Sequence, residues 1–186
     1  MLKYKDVWTR FGFPRFYLKF RGVYDKEKLY HGIIDWFARR KWEYEEEMLE
    51  HGEGPFGIED GINMYGVKRE DEWVEYKIEV ESHSFDEKPV IVKMEGGEQK
   101  QLTNGRIRLY FHGTMTFDYE QRWDKSVFHA SMKDFFNKYI LRRRIAEKYW
   151  DKIWYEMYDL HYHVKNIFGM QAKGHEQKFY IGVRRG

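Results

Sequence analysis

The chain has no cysteine and only three prolines in 186 residues. Without thiols it can form neither disulfides nor thiolate metal sites, and cysteine usage says nothing about its compartment. No run of 18 apolar residues occurs, so no helical membrane span can be read from the sequence. Met1-Leu2-Lys3-Tyr4-Lys5-Asp6 lacks the apolar core of a secretory leader. The cytoplasm is therefore the default location, and extracellular assembly would require export without a readable leader. Familiar chemical motifs are also missing. His51-Gly52-Glu53-Gly54-Pro55-Phe56-Gly57 is glycine-rich but lacks the Gly-Lys-Ser/Thr ending of a phosphate loop, and its acids would repel phosphate. No His-x-x-x-His with a helical Glu and no nucleophile-elbow serine is present.

What the chain does have is aromatic and charged. Tyr, Phe and Trp number 15, 14 and 7, and Asp, Glu, Lys and Arg make up 34%. So many large rings supply buried area and exclude disorder; Tyr and Trp also suit interfaces, each having a polar end. The length fits one domain able to bury a core without staples. The net charge of +2 conceals segregation: residues 1–40 carry +6, 41–100 carry −11, 101–124 are neutral, and 125–186 carry +7. Oppositely charged blocks can lie side by side in one subunit, or meet across an interface. Abundant Lys, Arg and Glu without Cys also suit a thermophile.

Residues 1–14 read as an arm, with Trp8, Phe11 and Phe13 apolar and Gly12 and Pro14 as breakers. Phe16 to Val23 alternates as a strand. Asp25 offers an N-cap to a helix from Lys26 to Arg39 whose Leu29, Ile33, Trp36 and Phe37 share one face. Trp42 to Met48 reads as a strand with an acidic face, residues 51–61 as a loop, Val74 to Glu81 as a strand with Val74, Tyr76, Ile78 and Val80 inward, and Val90 to Met94 as a short strand. Gly96-Gly97 begins a turn closing near Asn104-Gly105, before the longest strand, Arg106 to Tyr119. Polar-out alternation implies an antiparallel sheet with one wet face. From the N-cap Ser126 no Pro or Gly occurs before Gly169, so residues 127–168 form one long helix or two joined ones. The expectation is an α+β protein: a curved antiparallel sheet of about five strands, one helix after the first strand, and a long C-terminal helix packed on the sheet. Its parts are an aromatic arm (1–14), a single domain (15–170) and a tail (171–186) whose Phe179, Tyr180, Ile181 and Val183 can form a short strand.

Asp35-Trp36-Phe37-Ala38-Arg39-Arg40-Lys41-Trp42-Glu43-Tyr44, Asn104-Gly105-Arg106-Ile107, Asp118-Tyr119-Glu120 and Phe136-Asn137-Lys138-Tyr139-Ile140 resemble a group of small uncharacterised archaeal proteins. The resemblance spans roughly residues 16–168, implies an archaeal origin and carries no assigned activity. In element order alone the chain is similar to the helix-grip arrangement of START-like lipid-binding domains.

No nucleophile with its base, no metal set and no cofactor motif is readable, so a non-enzymatic role without cofactor is expected. Asp159 and His163 share a helix face as a carboxylate–histidine pair, whereas His161 and His163 point apart. Glu43, Glu45 and Glu47 line one strand face, suiting either a hard cation or an edge that resists pairing. Trp150, Trp154, Tyr158 and Tyr162 recur every four residues beside an already apolar face, so the last helix is greasy on more than one side. The leading expectation is a structural or interaction protein that self-associates into a ring, filament or tube through its arms and complementary charged faces. The contact candidates are Trp8, Phe11, Phe13, Trp150, Trp154, Tyr158, Phe179, Tyr180 and Ile181. One alternative is a module holding a small hydrophobic molecule between sheet and final helix, lined by Tyr76, Phe111, Trp150 and Trp154. Another is an RNA- or ribosome-associated protein using Arg142, Arg143 and Arg144.

Overall fold

The computed structural model describes residues 10–93, 97–120 and 149–170. Their elements are β1 (Arg10–Gly12), β2 (Phe16–Tyr24), α1 (Lys26–Arg39), β3 (Glu43–Gly54), β4 (Gly57–Arg69), β5 (Val74–Lys93), β6 (Gln99–Phe117) and α2 (Asp151–Ile167). No described helix is long and apolar enough to cross a membrane.

The result is a mixed α and β fold with one six-stranded antiparallel sheet, a strand more than expected. The order is β1-β6-β5-β4-β3, with β2 also on β6. β1 and β2 lie end to end along one side of β6: Gly12 pairs with Thr114, and Phe16 with Phe111. The arm expected over residues 1–14 is thus corrected from Arg10 onward. Pro14 sits in the gap between two edge strands, where its missing N–H costs no ladder bond.

The 51–61 loop is corrected too. Glu53 and Ile58 face each other across a tight hairpin, and the glycines sit within its strands. The two strands expected at 74–81 and 90–94 are one 20-residue strand, kinked where the register slips between Phe85 and Lys88 and Asp86 adopts φ 56°. Likewise the strand expected from Arg106 already begins at Gln99.

Both helices pack on one face of the sheet, and each starts or packs for a legible reason. Asp25 accepts the backbone N–H of Lys28 at 2.9 Å, the expected N-cap. Leu29, Ile33, Trp36 and Phe37 then face inward. Phe37 lies so close to Gly66 of β4 that a Cβ there would overlap its ring. On α2, Ile153, Met157, Leu160 and Val164 are buried, and Met157 crosses β6 at Gly113 in the same way. These apolar stripes meet Val74, Tyr76, Ile78, Val80, Ile107, Leu109 and Phe111 from the sheet. The segment 127–148 expected to lengthen the final helix lies outside the described residues, as do residues 1–9 and the tail 171–186.

Candidate functional site

The outward face of the sheet carries an ordered array of charge. On β2, Tyr17, Lys19 and Arg21 alternate outward and are exposed, Tyr17 at 64%. Register sets Tyr17 against Tyr110, Lys19 against Arg108 and Arg21 against Arg106. Two like-charged pairs thus stand side by side, an arrangement that costs stability in a sheet. Arg106 is neutralised by Asp86, and Arg108 lies over the Phe85 ring at 5.3 Å. Lys19 and Arg21 have no acidic partner among the described residues, Lys19 lying 5.3 Å from the Tyr17 ring.

The far side of the sheet is the reverse. β3 contains six glutamates, Glu43, Glu45, Glu46, Glu47, Glu50 and Glu53, and no Lys or Arg. Neutral donors serve three of them: Tyr65 donates to Glu45, Tyr44 to Glu46 at 2.8 Å and Asn63 to Glu47 at 2.8 Å. Glu45 holds the Tyr65 hydroxyl above its ordinary pKa, and burial pushes Tyr44 up to about 12. β5, in the middle, mixes Glu79 and Glu81 with Lys77. Charge therefore runs across the sheet from a basic β2–β6 side to an acidic β3 edge. The candidate cation row Glu43, Glu45 and Glu47 lies on this edge, and no metal-holding cluster occurs among the described residues.

A second constellation lies beneath the start of α1. Glu87, 5% exposed, follows the strained Asp86; it accepts the Tyr24 hydroxyl at 2.5 Å and the Lys26 ammonium at 2.6 Å. Lys26 also binds Asp60, whose other oxygen lies 2.5 Å from His51 Nδ1. Burial disfavours the charged forms of both Lys26 and Asp60, but their mutual hydrogen bond and those to Glu87 and His51 outweigh it. Lys26 is held above its usual pKa and Asp60 below. Burial, then Glu87, raises the Tyr24 hydroxyl far out of the physiological range. Behind this cluster, Leu29, Ile33, Ser82, Ser84 and Ile107 line a partly open pocket of ≈ 20 Å³, the size of one water. Sequence reasoning missed the cluster because Lys26, Asp60 and Glu87 lie on three separate elements.

Other candidate residues are placed as follows. Phe13, expected in a docking arm, is 3% exposed; it packs on Trp150 with centroids 4.2 Å apart and reaches Trp154 at 6.5 Å. Phe11 meets Phe117 edge-on, and Phe16 meets Trp154 and Tyr158. The second greasy side of α2 is thus partly covered by the chain's own first strands, and Trp150, Trp154 and Tyr158 are half-buried. Of the residues expected to line a hydrophobic-ligand space, Tyr76 is 1% and Phe111 0% exposed, while Trp150 and Trp154 are half-buried.

Asp159 and His163 do not pair. Asp159 accepts the Trp36 indole at 2.7 Å and Arg40 at 2.5 Å, while His163 Nε2 lies 3.2 Å from the Gly32 carbonyl oxygen. These residues, with Arg39, Tyr162 and Asn166, line an open cleft of ≈ 430 Å³ between the helices. His161 is half-buried between Phe16 and Phe111; burial, assisted by Lys165, lowers its pKa against a hydrogen bond to the Tyr17 backbone. Trp8, Phe179, Tyr180, Ile181, Arg142, Arg143 and Arg144 lie outside the described residues. Comparison with family models, curated proteins and solved structures finds no match to this chain.

Proposed function

We propose that this is a structural or interaction protein that associates with itself, its oppositely charged sheet margins supplying the attraction. The observation that carries this reading is the pairing of extremes within one sheet. One border strand has six glutamates without a cation, and the opposite side presents Lys19, Arg21, Arg106 and Arg108 without an outward acid on the same two strands. Within one chain the intervening strands keep these groups apart. Between chains they can meet, and such attraction steers association and weakens with salt. The test is light scattering after size exclusion at about 0.05 M and about 0.5 M NaCl, where screening lengths differ roughly threefold. The expected result is a mass above the 23.0 kDa monomer at low salt that falls to it at high salt. A monomer at every salt and protein concentration refutes the reading.

One observation favours a second reading. Tyr17 and Tyr110 sit side by side among four cations, an arrangement on which single-stranded RNA bases can stack while phosphates are neutralised. Anisotropy of a labelled oligouridine separates the two readings: salt-dependent binding lost in Tyr17→Ala supports RNA, and no binding at low salt removes it.

A further inference from the structure

We infer that the partner of this surface is the opposite edge of a second copy: β2 of one chain adds alongside β3 of the next, in parallel, extending one sheet. The inference rests on the self-association reading and specifies its geometry. Both strands are edges among the described residues, for β2 pairs with β6 alone and β3 with β4 alone. Each therefore has backbone donors and acceptors without a strand partner, the Tyr17 backbone being met by the His161 side chain.

Direction follows from topology. β2, β6, β5, β4 and β3 alternate, every neighbouring pair being antiparallel, so the first and fifth run the same way. Shifting a copy sideways along the sheet keeps its outward face outward and brings its β2 parallel to β3. Tyr17, Lys19 and Arg21 then stand on the same face as Glu43, Glu45 and Glu47, in reach for cross-strand ion pairs that stay in water and avoid the desolvation cost of buried pairs. The register slip between Glu46 and Met48 breaks β3, so the straight run Glu43–Glu46 is the segment β2 meets.

Like edges repel: β3 against β3 would oppose six glutamates with six. The contact is therefore heterologous, and it repeats without closing unless the rotation per copy happens to complete a ring. Five strands at about 4.8 Å advance the assembly by roughly 24 Å per copy, with strands across the long axis. Ordinary sheet twist turns each copy by on the order of 100°.

Because the natural chain has no cysteine, single cysteines report contacts without background. Chains carrying Tyr17→Cys and Glu45→Cys are mixed and mildly oxidised, as are chains carrying Lys19→Cys and Glu45→Cys, which cover a two-residue slip. Circular dichroism checks folding, and light scattering on the wild-type chain is run in parallel. The expected result is a mixed disulfide severalfold in excess of either homodimer. Homodimers in excess, or no disulfide from either pair while the wild-type chain still associates, overturn the edge assignment and leave self-association standing. A wild-type chain that never associates removes both. If a cysteine variant fails to fold, Lys19→Glu/Arg21→Glu takes its place. It should lower association at least tenfold, and unchanged association overturns the assignment.

Discussion

Replacing Lys26 by Met should destabilise the protein by about 2–3 kcal/mol at neutral pH, because it strands two carboxylates around a buried position. The ammonium lies 2.6 Å from Glu87 Oε2 and also binds Asp60. At an effective dielectric of about 20, one such contact has a gross Coulomb energy of about 6 kcal/mol, much of which desolvation cancels. Breaking a fully buried pair costs roughly 3–5 kcal/mol, and the Lys26 side chain is 33% exposed, which moves the figure down. Met keeps the aliphatic stem, so the loss reports charge more than packing.

For a chain of this length the change corresponds to about 5–10 °C in Tm, readable by circular dichroism. The pH dependence gives a second handle. Lys26 is held above its ordinary value, so its contribution is fully present below pH 10.5 and lost as pH rises through the higher folded value. Asp60 is held below its ordinary value, so its contribution is present above pH 3.8 and lost as pH falls through the folded value. Wild-type stability from this cluster is thus level between those limits. In Lys26→Met the Asp60 carboxylate loses that counter-charge and takes up its proton earlier, and the deficit should shrink between pH 7 and pH 5. A Tm within about 2 °C of wild type at pH 7, or a deficit that ignores pH, refutes the assignment of Lys26 as their counter-charge.

Gly66→Ala should cost about 1–3 kcal/mol in denaturant unfolding, because the Phe37 ring is rigid. Gly113→Ala, which meets the flexible end of Met157, should cost less. His161 has a folded pKa lowered by burial, so stability is full above pH 6.5 and falls as pH drops through the folded value; His161→Gln should flatten the Tm decline between pH 7 and pH 5. A chain with Lys19→Ala/Arg21→Ala mixed with one carrying Glu43→Gln/Glu45→Gln/Glu47→Gln should stop at a dimer by light scattering, since one charge-matched junction remains. Long polymers from that mixture would contradict the proposed contact.

Much of the architecture was legible because local chemistry and tertiary packing agree. Asp25 caps α1 where its side chain can reach Lys28, and Val74, Tyr76, Ile78 and Val80 keep strict alternation because one face is buried. β4 was not legible, since Gly57 and Gly61 fall in the glycine-rich stretch 51–61 that reads as a loop. In the fold, Gly66 is small to admit Phe37, a reason that lies on another element. β5 read as two strands because Asp86 and Glu87 interrupt the pattern at a bulge. Phe11 and Phe13 read as free because the β6 positions they meet come about a hundred residues later, and sequence separation that large leaves no local trace. Of the candidate surface, the acidic run was visible in β3. Its relation to Lys19 and Arg21 depends on strand order, which no single segment encodes.

That strand order also sets a schedule. β2 is made early, yet Phe16 pairs with Phe111 and Tyr24 with Thr103. At usual elongation rates of about 5–20 residues per second, the nascent β2 waits on the order of 5–20 s for its own partner. Meanwhile β3 and β4 can already zip together through their short hairpin, acid edge outward. On a polysome carrying neighbouring chains, that interval is when a stray basic strand could find another molecule's acidic edge first. Synthesis speed around residues 100–117 would then influence whether newly made copies emerge single or already joined.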